Sequence, residues 1–153
     1  MSFYQFKREQ FFKNSIEELW DFISKPENLK KITPRYMGFD ITSSGEHHKM
    51  YEGMIISYKV SPIWNIKTTW VTEITHVKSG HYFVDEQRIG PYNLWHHQHF
   101  LEEKQGGTLM SDIVSYQPPF GFLGAIANKI IIKKKLEEIF DFRQKALIKI
   151  FEK

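Results

Sequence analysis

The chain has 153 residues, of which 41% are hydrophobic, 25% charged and 16% aromatic, with a net charge of +3 and no cysteine. That composition fits one globular domain spanning residues 1–153, large enough to bury a core. It excludes disulfides and thiolate chemistry, gives no argument for nucleic acid, and contains no apolar run of the roughly 18 residues needed for stable membrane insertion.

Residues 3–12 alternate and are rich in aromatics, which predicts a strand. Lys7, Arg8 and Glu9 interrupt that pattern, so it does not read as a signal peptide, and a cytoplasmic location is expected. Asn14 or Ser15 can cap a helix whose first turn holds Glu17 and Glu18 and whose inner face holds Ile16, Leu19, Trp20 and Ile23. Ser24 is the expected cap of a second short helix, with Pro26 in its first turn and Leu29 and Ile32 inward; Thr33-Pro34 ends it. Strands are then predicted over 36–42, 50–60 and 66–77. A turn at residues 43–46, with His47-His48 facing solvent, and a loop at Ser61-Pro62 separate them. The strand at 66–77 places Thr68, Trp70, Thr72 and Ile74 on one face.

Turns at Ser79-Gly80, Gly90-Pro91 and Gly106-Gly107 divide the next part of the chain into three further strands. Period-two alternation puts Phe83, Asp85 and Gln87 on one face of the first. It aligns Trp95, His97, His99 and Leu101 on the second, and Thr108, Met110, Asp112, Val114 and Tyr116 on the third. His96 and Gln98 then point the other way. Rows that mix bulky apolar groups with acids, amides and imidazoles suit the wall of a partly apolar cavity with a few polar handles.

Pro118-Pro119-Phe120-Gly121 stops the last strand, and from 123 to 151 the pattern is helical. Ile126, Ile130, Lys133, Leu136, Phe140, Arg143, Leu147 and Ile150 form one stripe on a helix roughly 40 Å long. Gly121 and Gly124 allow a sharp turn at its entry. Lys133-Lys134-Lys135 reads as a solvated face. The class is α+β: a curved antiparallel sheet wrapped around a long C-terminal helix, with two short helices after the first strand.

Two imidazoles at i and i+2 with nearby carboxylates permit several readings. Asp85, His97, His99 and Asp112 can form a buried hydrogen-bonded network, contact a polar ligand group, or ligate a metal. No metal and no cofactor is assigned, because neither partners for the far imidazole nitrogens nor an open coordination position is legible in the sequence. Arg143, in mid-stripe, can snorkel to the helix edge or enter the cavity and pair with Asp85 or Asp112, and the second is expected because a mid-stripe arginine needs a partner. No nucleophile motif and no glycine-rich phosphate loop is present.

The segments FVDEQ (83–87), GPY (90–92), WxHxH (95–99), GTLMxDxVxY (107–116), PFGxLG (119–124), IFxFR (139–143) and FISxPENL (22–29), with ITP at 32–34, resemble the START/polyketide-cyclase-like (SRPBCC) superfamily, and within it the small bacterial ligand-binding SRPBCC proteins. The resemblance runs over essentially the whole chain; SPIW at 61–64 departs from it. It implies the helix-grip (Bet v 1-like) fold. The superfamily includes lipid carriers, hormone receptors and cyclases, so it does not fix an activity.

The expected function is non-catalytic binding of a small hydrophobic or amphipathic molecule (a lipid, quinone or polyketide-like compound). The candidate contacts are Trp70, Phe83, Asp85, Gln87, Trp95, His97, His99, Met110, Asp112, Tyr116 and Arg143. One alternative is a cyclase or dehydratase using His97 or His99 as base with Asp85 or Asp112. Another is an interaction module whose basic helix and 118–123 segment touch a protein or membrane surface. A cavity smaller than about 300 Å³ would count against the first two.

Overall fold

The computed structural model describes residues 3–43, 49–61 and 66–152. The expectations for His47-His48 and for the SPIW loop beyond Ser61 fall outside the described residues.

Among the described residues seven strands form one antiparallel sheet: β1 (Tyr4–Phe12), β2 (Asp40–Ile41), β3 (Ile55–Val60), β4 (Thr68–Lys78), β5 (Tyr82–Ile89), β6 (Leu94–Lys104) and β7 (Gly107–Gln117). Their spatial order is β1-β7-β6-β5-β4-β3-β2. From β2 to β7 each strand lies beside its neighbour in sequence, while β1 closes the far edge against β7, from Tyr4 opposite Tyr116 to Phe12 opposite Thr108.

Helix α1 (Ile16–Ile23) begins with a capping box. The Ser15 hydroxyl accepts from the Glu18 backbone and the Glu18 carboxylate accepts from the Ser15 backbone. Leu19, Trp20 and Ile23 are its buried face. The second short helix is a 3₁₀ segment, Pro26–Ile32, entered from Lys25. Ser24 does not cap it. It closes α1 instead, and its hydroxyl is buried without a partner.

Two predicted strands are shorter than their apolar patterns suggested. Pro34 leads into a 3₁₀ turn at Arg35–Met37, and Gly38 takes a left-handed φ of 57°, so only Asp40–Ile41 of residues 36–42 pairs in the sheet. Upstream of β3 the chain turns at Tyr51, where Met54 N donates to Tyr51 O, and pairing starts only at Ile55.

The C-terminal helix is continuous through α2 (Gly121–Ala127), a π-turn (Asn128–Ile132) and α3 (Lys133–Phe151). At 31 residues it spans roughly 45 Å. A Cβ on Gly124 would lie 1.9 Å from the Pro119 carbonyl oxygen, so only glycine permits this close entry.

The buried stripe is Gly124, Asn128, Ile132, Leu136, Phe140 and Leu147. Ile126 and Ile130, expected inward, are exposed. The π-turn supplies the reason: its wider turn brings Asn128 and Ile132 onto the buried face, which shifts the inward register of the residues before it away from the predicted one. Lys133 and Lys134 are exposed as expected, while Lys135 pairs with Glu138 at 2.9 Å. Among the described residues no helix is long and apolar enough to cross a membrane.

Candidate functional site: a cavity with a charged end

Helix α3 crosses the sheet and packs Leu136 and Phe140 beside Val114 and Tyr116, and Leu147 into the core of Phe12, Leu19, Ile56, Ile74 and Phe83. Between these contacts lies a cavity of about 130 Å³. Its walls include Trp70, Phe83, Asp85, Trp95, His97, His99 and Arg143 from the predicted set. Met110 and Asp112 border a smaller void of about 20 Å³ behind it.

Tyr116 and Gln87 are used elsewhere. The buried Tyr116 hydroxyl donates to Asn128 Oδ1 at 2.7 Å, tying β7 to the π-turn. Gln87 clamps the Gly90-Pro91 turn, donating to Tyr92 O at 2.6 Å and accepting from Tyr92 N at 3.2 Å.

The apolar end is aromatic. Tyr58 stacks on Trp70 with rings 12° from parallel and 6.2 Å apart, and Trp95 meets the Trp70 ring edge-on at 5.2 Å. Tyr58, Tyr92 and Ile139 line the cavity but were not singled out in the sequence. Tyr58 was accessible to the alternation rule, since it shares a face with Ile56 and Val60. Burial pushes the phenols of Tyr58 and Tyr92 above their usual range, and the Asp85 charge adds to the rise at Tyr58.

The charged end is built by register. Asp85 lies opposite His97 on the β5–β6 pair, and His99 lies opposite Asp112 on the β6–β7 pair. One oxygen, Asp112 Oδ1, receives His97 Nε2 at 2.8 Å and His99 Nδ1 at 3.0 Å. The other nitrogen of each ring faces Asp85 Oδ2, His99 Nε2 at 2.7 Å and His97 Nδ1 at 3.6 Å. The two imidazoles lie 3.7 Å apart, and Phe83 stacks on His99 at 4.0 Å. Arg143 enters as expected. Its guanidinium covers the Phe140 ring at 4.8 Å, and Nη1 stands 3.7 Å from Asp112 Oδ1. His96 points outward as expected and meets Glu86 at 2.7 Å.

Electrostatics follow from these contacts. Burial alone would raise both carboxyls, but donation from the imidazoles and the surrounding positive charge hold Asp85 and Asp112 below the usual carboxylate range. Burial works against charging either histidine. For His99 it is outweighed by bonds to Asp112 and Asp85, and its pKa rises; for His97, burial and the charge of His99 lower it. The cluster therefore sets two carboxylates and the Arg143 guanidinium around two imidazoles, of which His99 is the more readily protonated.

Two buried donors of cavity-lining residues, Trp70 Nε1 and Arg143 Nε, have no hydrogen-bond partner among the described residues. A buried donor left unsatisfied costs about 1–3 kcal/mol, so such atoms call for a partner.

No family model and no curated protein matches this chain. Solved structures do. A protein from Arthrobacter aurescens gives a TM-score of 0.71 at 13% identity, covering 95% of this chain and 86% of that one. A putative uncharacterised protein from Rhizobium leguminosarum gives 0.70 at 13% identity, covering 97% and 96%. Ara h 8.0201 gives 0.60 at 11% identity, covering 97% and 99%. At these identities the likeness is one of fold, and the fold is α+β of helix-grip (Bet v 1-like) type.

Proposed function

We propose that this chain is a ligand-binding domain that holds a compact amphipathic molecule, about one aromatic ring in size, without transforming it. The observation that carries the reading is the cavity with unpartnered donors among its lining residues. Trp70 Nε1 and Arg143 Nε are two such donors, beside walls that are otherwise largely apolar. An acceptor-bearing ring would bury its apolar edge against Trp70, Trp95 and Tyr58 and offer its oxygen to those donors. Size sets the class. At about 130 Å³ the cavity is well under the roughly 300 Å³ of drug-sized pockets, which counts against the lipid-sized ligands and the cyclase substrates expected from the sequence, and close to the roughly 150 Å³ of an apolar void that takes up benzene. The volume therefore disfavours a long-chain lipid or a fused polyketide and favours a monocyclic acid, phenol or small quinone.

Thermal unfolding of the purified protein with a panel of single-ring acids, phenols, benzoquinones and fatty acids tests this. A ring compound at 100 times its Kd adds about 2.7 kcal/mol of stability, a rise of several degrees in Tm for a chain of this length. If no single-ring compound moves Tm and native mass spectrometry finds no bound molecule, the reading fails.

A second reading is favoured by one surface feature. Phe120, Phe122, Leu123, Ile126 and Ile130 are all exposed, Phe120 by 80%, and Lys129, Lys133 and Lys134 lie beside them in sequence and are exposed too. Clustered apolar groups with lysines suit an anionic membrane surface. Co-sedimentation with phosphatidylserine vesicles that Phe120→Ser/Phe122→Ser abolishes would support it; equal sedimentation of both proteins would refute it.

A further inference from the structure

We infer that Asp85, His97 and His99 bind one divalent transition-metal ion, with Asp112 orienting both imidazoles from behind. The site does not depend on the identity of the molecule in the cavity.

Each imidazole turns one nitrogen toward Asp112 and the other toward Asp85. His97 Nε2 is hydrogen-bonded to Asp112 Oδ1 at 2.8 Å, and His99 Nδ1 stands 3.0 Å from the same oxygen. Metal-bound histidines almost always have their far N–H held this way, because the carboxylate fixes the tautomer and aims the free lone pair. Asp112 Oδ1 lies beside both rings, and the remaining nitrogen of each ring faces one atom, Asp85 Oδ2.

With both far nitrogens protonated, His97 Nδ1, His99 Nε2 and the Asp85 carboxylate present lone pairs to one another. One ligand atom from each of the three residues lies within 4.8 Å of the others. Three converging lone-pair donors repel unless a cation stands between them. A proton on His99 Nε2 relieves the 2.7 Å contact but leaves His97 Nδ1 facing the carboxylate oxygen at 3.6 Å with nothing to share.

Charge and access agree with this assignment. Neutral imidazoles, two carboxylates and Arg143 leave the cluster at a formal −1, which a divalent ion carries to +1. An anionic oxygen would complete both the shell and the balance. Asp85, His97 and His99 line the main cavity while Asp112 does not, so the remaining coordination positions open where a ligand would sit. Two imidazoles and one carboxylate suit Zn²⁺, Fe²⁺ or Co²⁺ rather than Mg²⁺ or Ca²⁺, which prefer all-oxygen shells.

The experiment uses the metal alone. Chelator-treated protein is titrated with Zn²⁺ by calorimetry and with Co²⁺ by visible absorption. One ion per chain is expected. Asp112→Asn should weaken binding about 10- to 100-fold at unchanged stoichiometry. Asp85→Asn and His97→Gln should weaken it further and remove the Co²⁺ bands. His96→Gln, on the outer face, should leave both readouts unchanged.

Far-ultraviolet circular dichroism checks that each variant is folded. Ring ¹⁵N shifts of the unaltered protein give a readout that needs no variant: one equivalent of Zn²⁺ should move His97 Nδ1 and His99 Nε2. The inference is overturned if those resonances stay put, or if folded Asp85→Asn binds Zn²⁺ as tightly as the unaltered protein.

Discussion

Replacing Asp112 by Asn in the metal-free protein is the most direct probe of the charged end. Asn keeps the volume, so no cavity term enters. It loses the charge that the two imidazole donors and the Arg143 guanidinium share. Two hydrogen bonds to a charged group, each worth about 1.5–3 kcal/mol, set the scale. Removing one partner of a buried pair typically costs about 3–5 kcal/mol, which agrees. Against a total stability of about 5–15 kcal/mol this is a large fraction, equivalent to a fall in Tm of roughly 10 °C.

Urea unfolding of both proteins at pH 7 measures the difference. The sign with pH is fixed by the direction of the shift. The folded-state pKa of Asp112 is depressed, so its stabilisation is present above about pH 4, the unfolded-state value, and is lost as pH falls below it. The gap between the proteins should narrow in that range. A gap under about 1 kcal/mol at pH 7, or one that widens below pH 4, would refute the description of Asp112 as a buried, charged hub.

Tyr116→Phe should cost about 1–3 kcal/mol by stranding Asn128 Oδ1 in the π-turn, measured by chemical denaturation, with no loss of Zn²⁺ affinity. Phe120 has a left-handed φ of 64° and an exposed ring. Phe120→Gly should therefore leave stability unchanged or raise it by up to about 1 kcal/mol despite deleting an aromatic side chain, and a clear loss in thermal unfolding would contradict that.

The three rows between Phe83 and Tyr116 were legible because strand parity is rigid. Once the Gly-Pro and Gly-Gly turns are placed, the set of inward-facing residues is determined, and Asp85, His97, His99 and Asp112 meet as the alternation requires. The sharing of one Asp112 oxygen by two rings was not legible. It depends on χ angles and on the stagger between neighbouring strands, neither of which leaves a trace in spacing. Spacing alone therefore assigns no metal.

Gln87 has the right parity, but the turn three residues on captures its amide. The π-turn was hidden for a different reason. The run AIANKIIIKKK has apolar residues in both helical registers, so either face could have been inward, and a buried Asn–Tyr bond decides. Residues 36–42 misled because an apolar alternation says nothing about the left-handed conformation at Gly38.

The charged cluster also acts on folding fidelity. If β6 paired one residue out of step, His96, Gln98 and Phe100 would turn inward and His97 and His99 would move to the outer surface. Asp85 and Asp112 would remain buried with only Arg143 between them, at a cost of several kcal/mol for each unpaired ion. An all-apolar row would tolerate that slip far better, since Phe100 could take the place of a neighbour. The residues that give the cavity its chemistry thus also proofread the alignment of β5, β6 and β7. Variants that replace all four acids and imidazoles with apolar groups would gain freedom to misalign even where they gain stability.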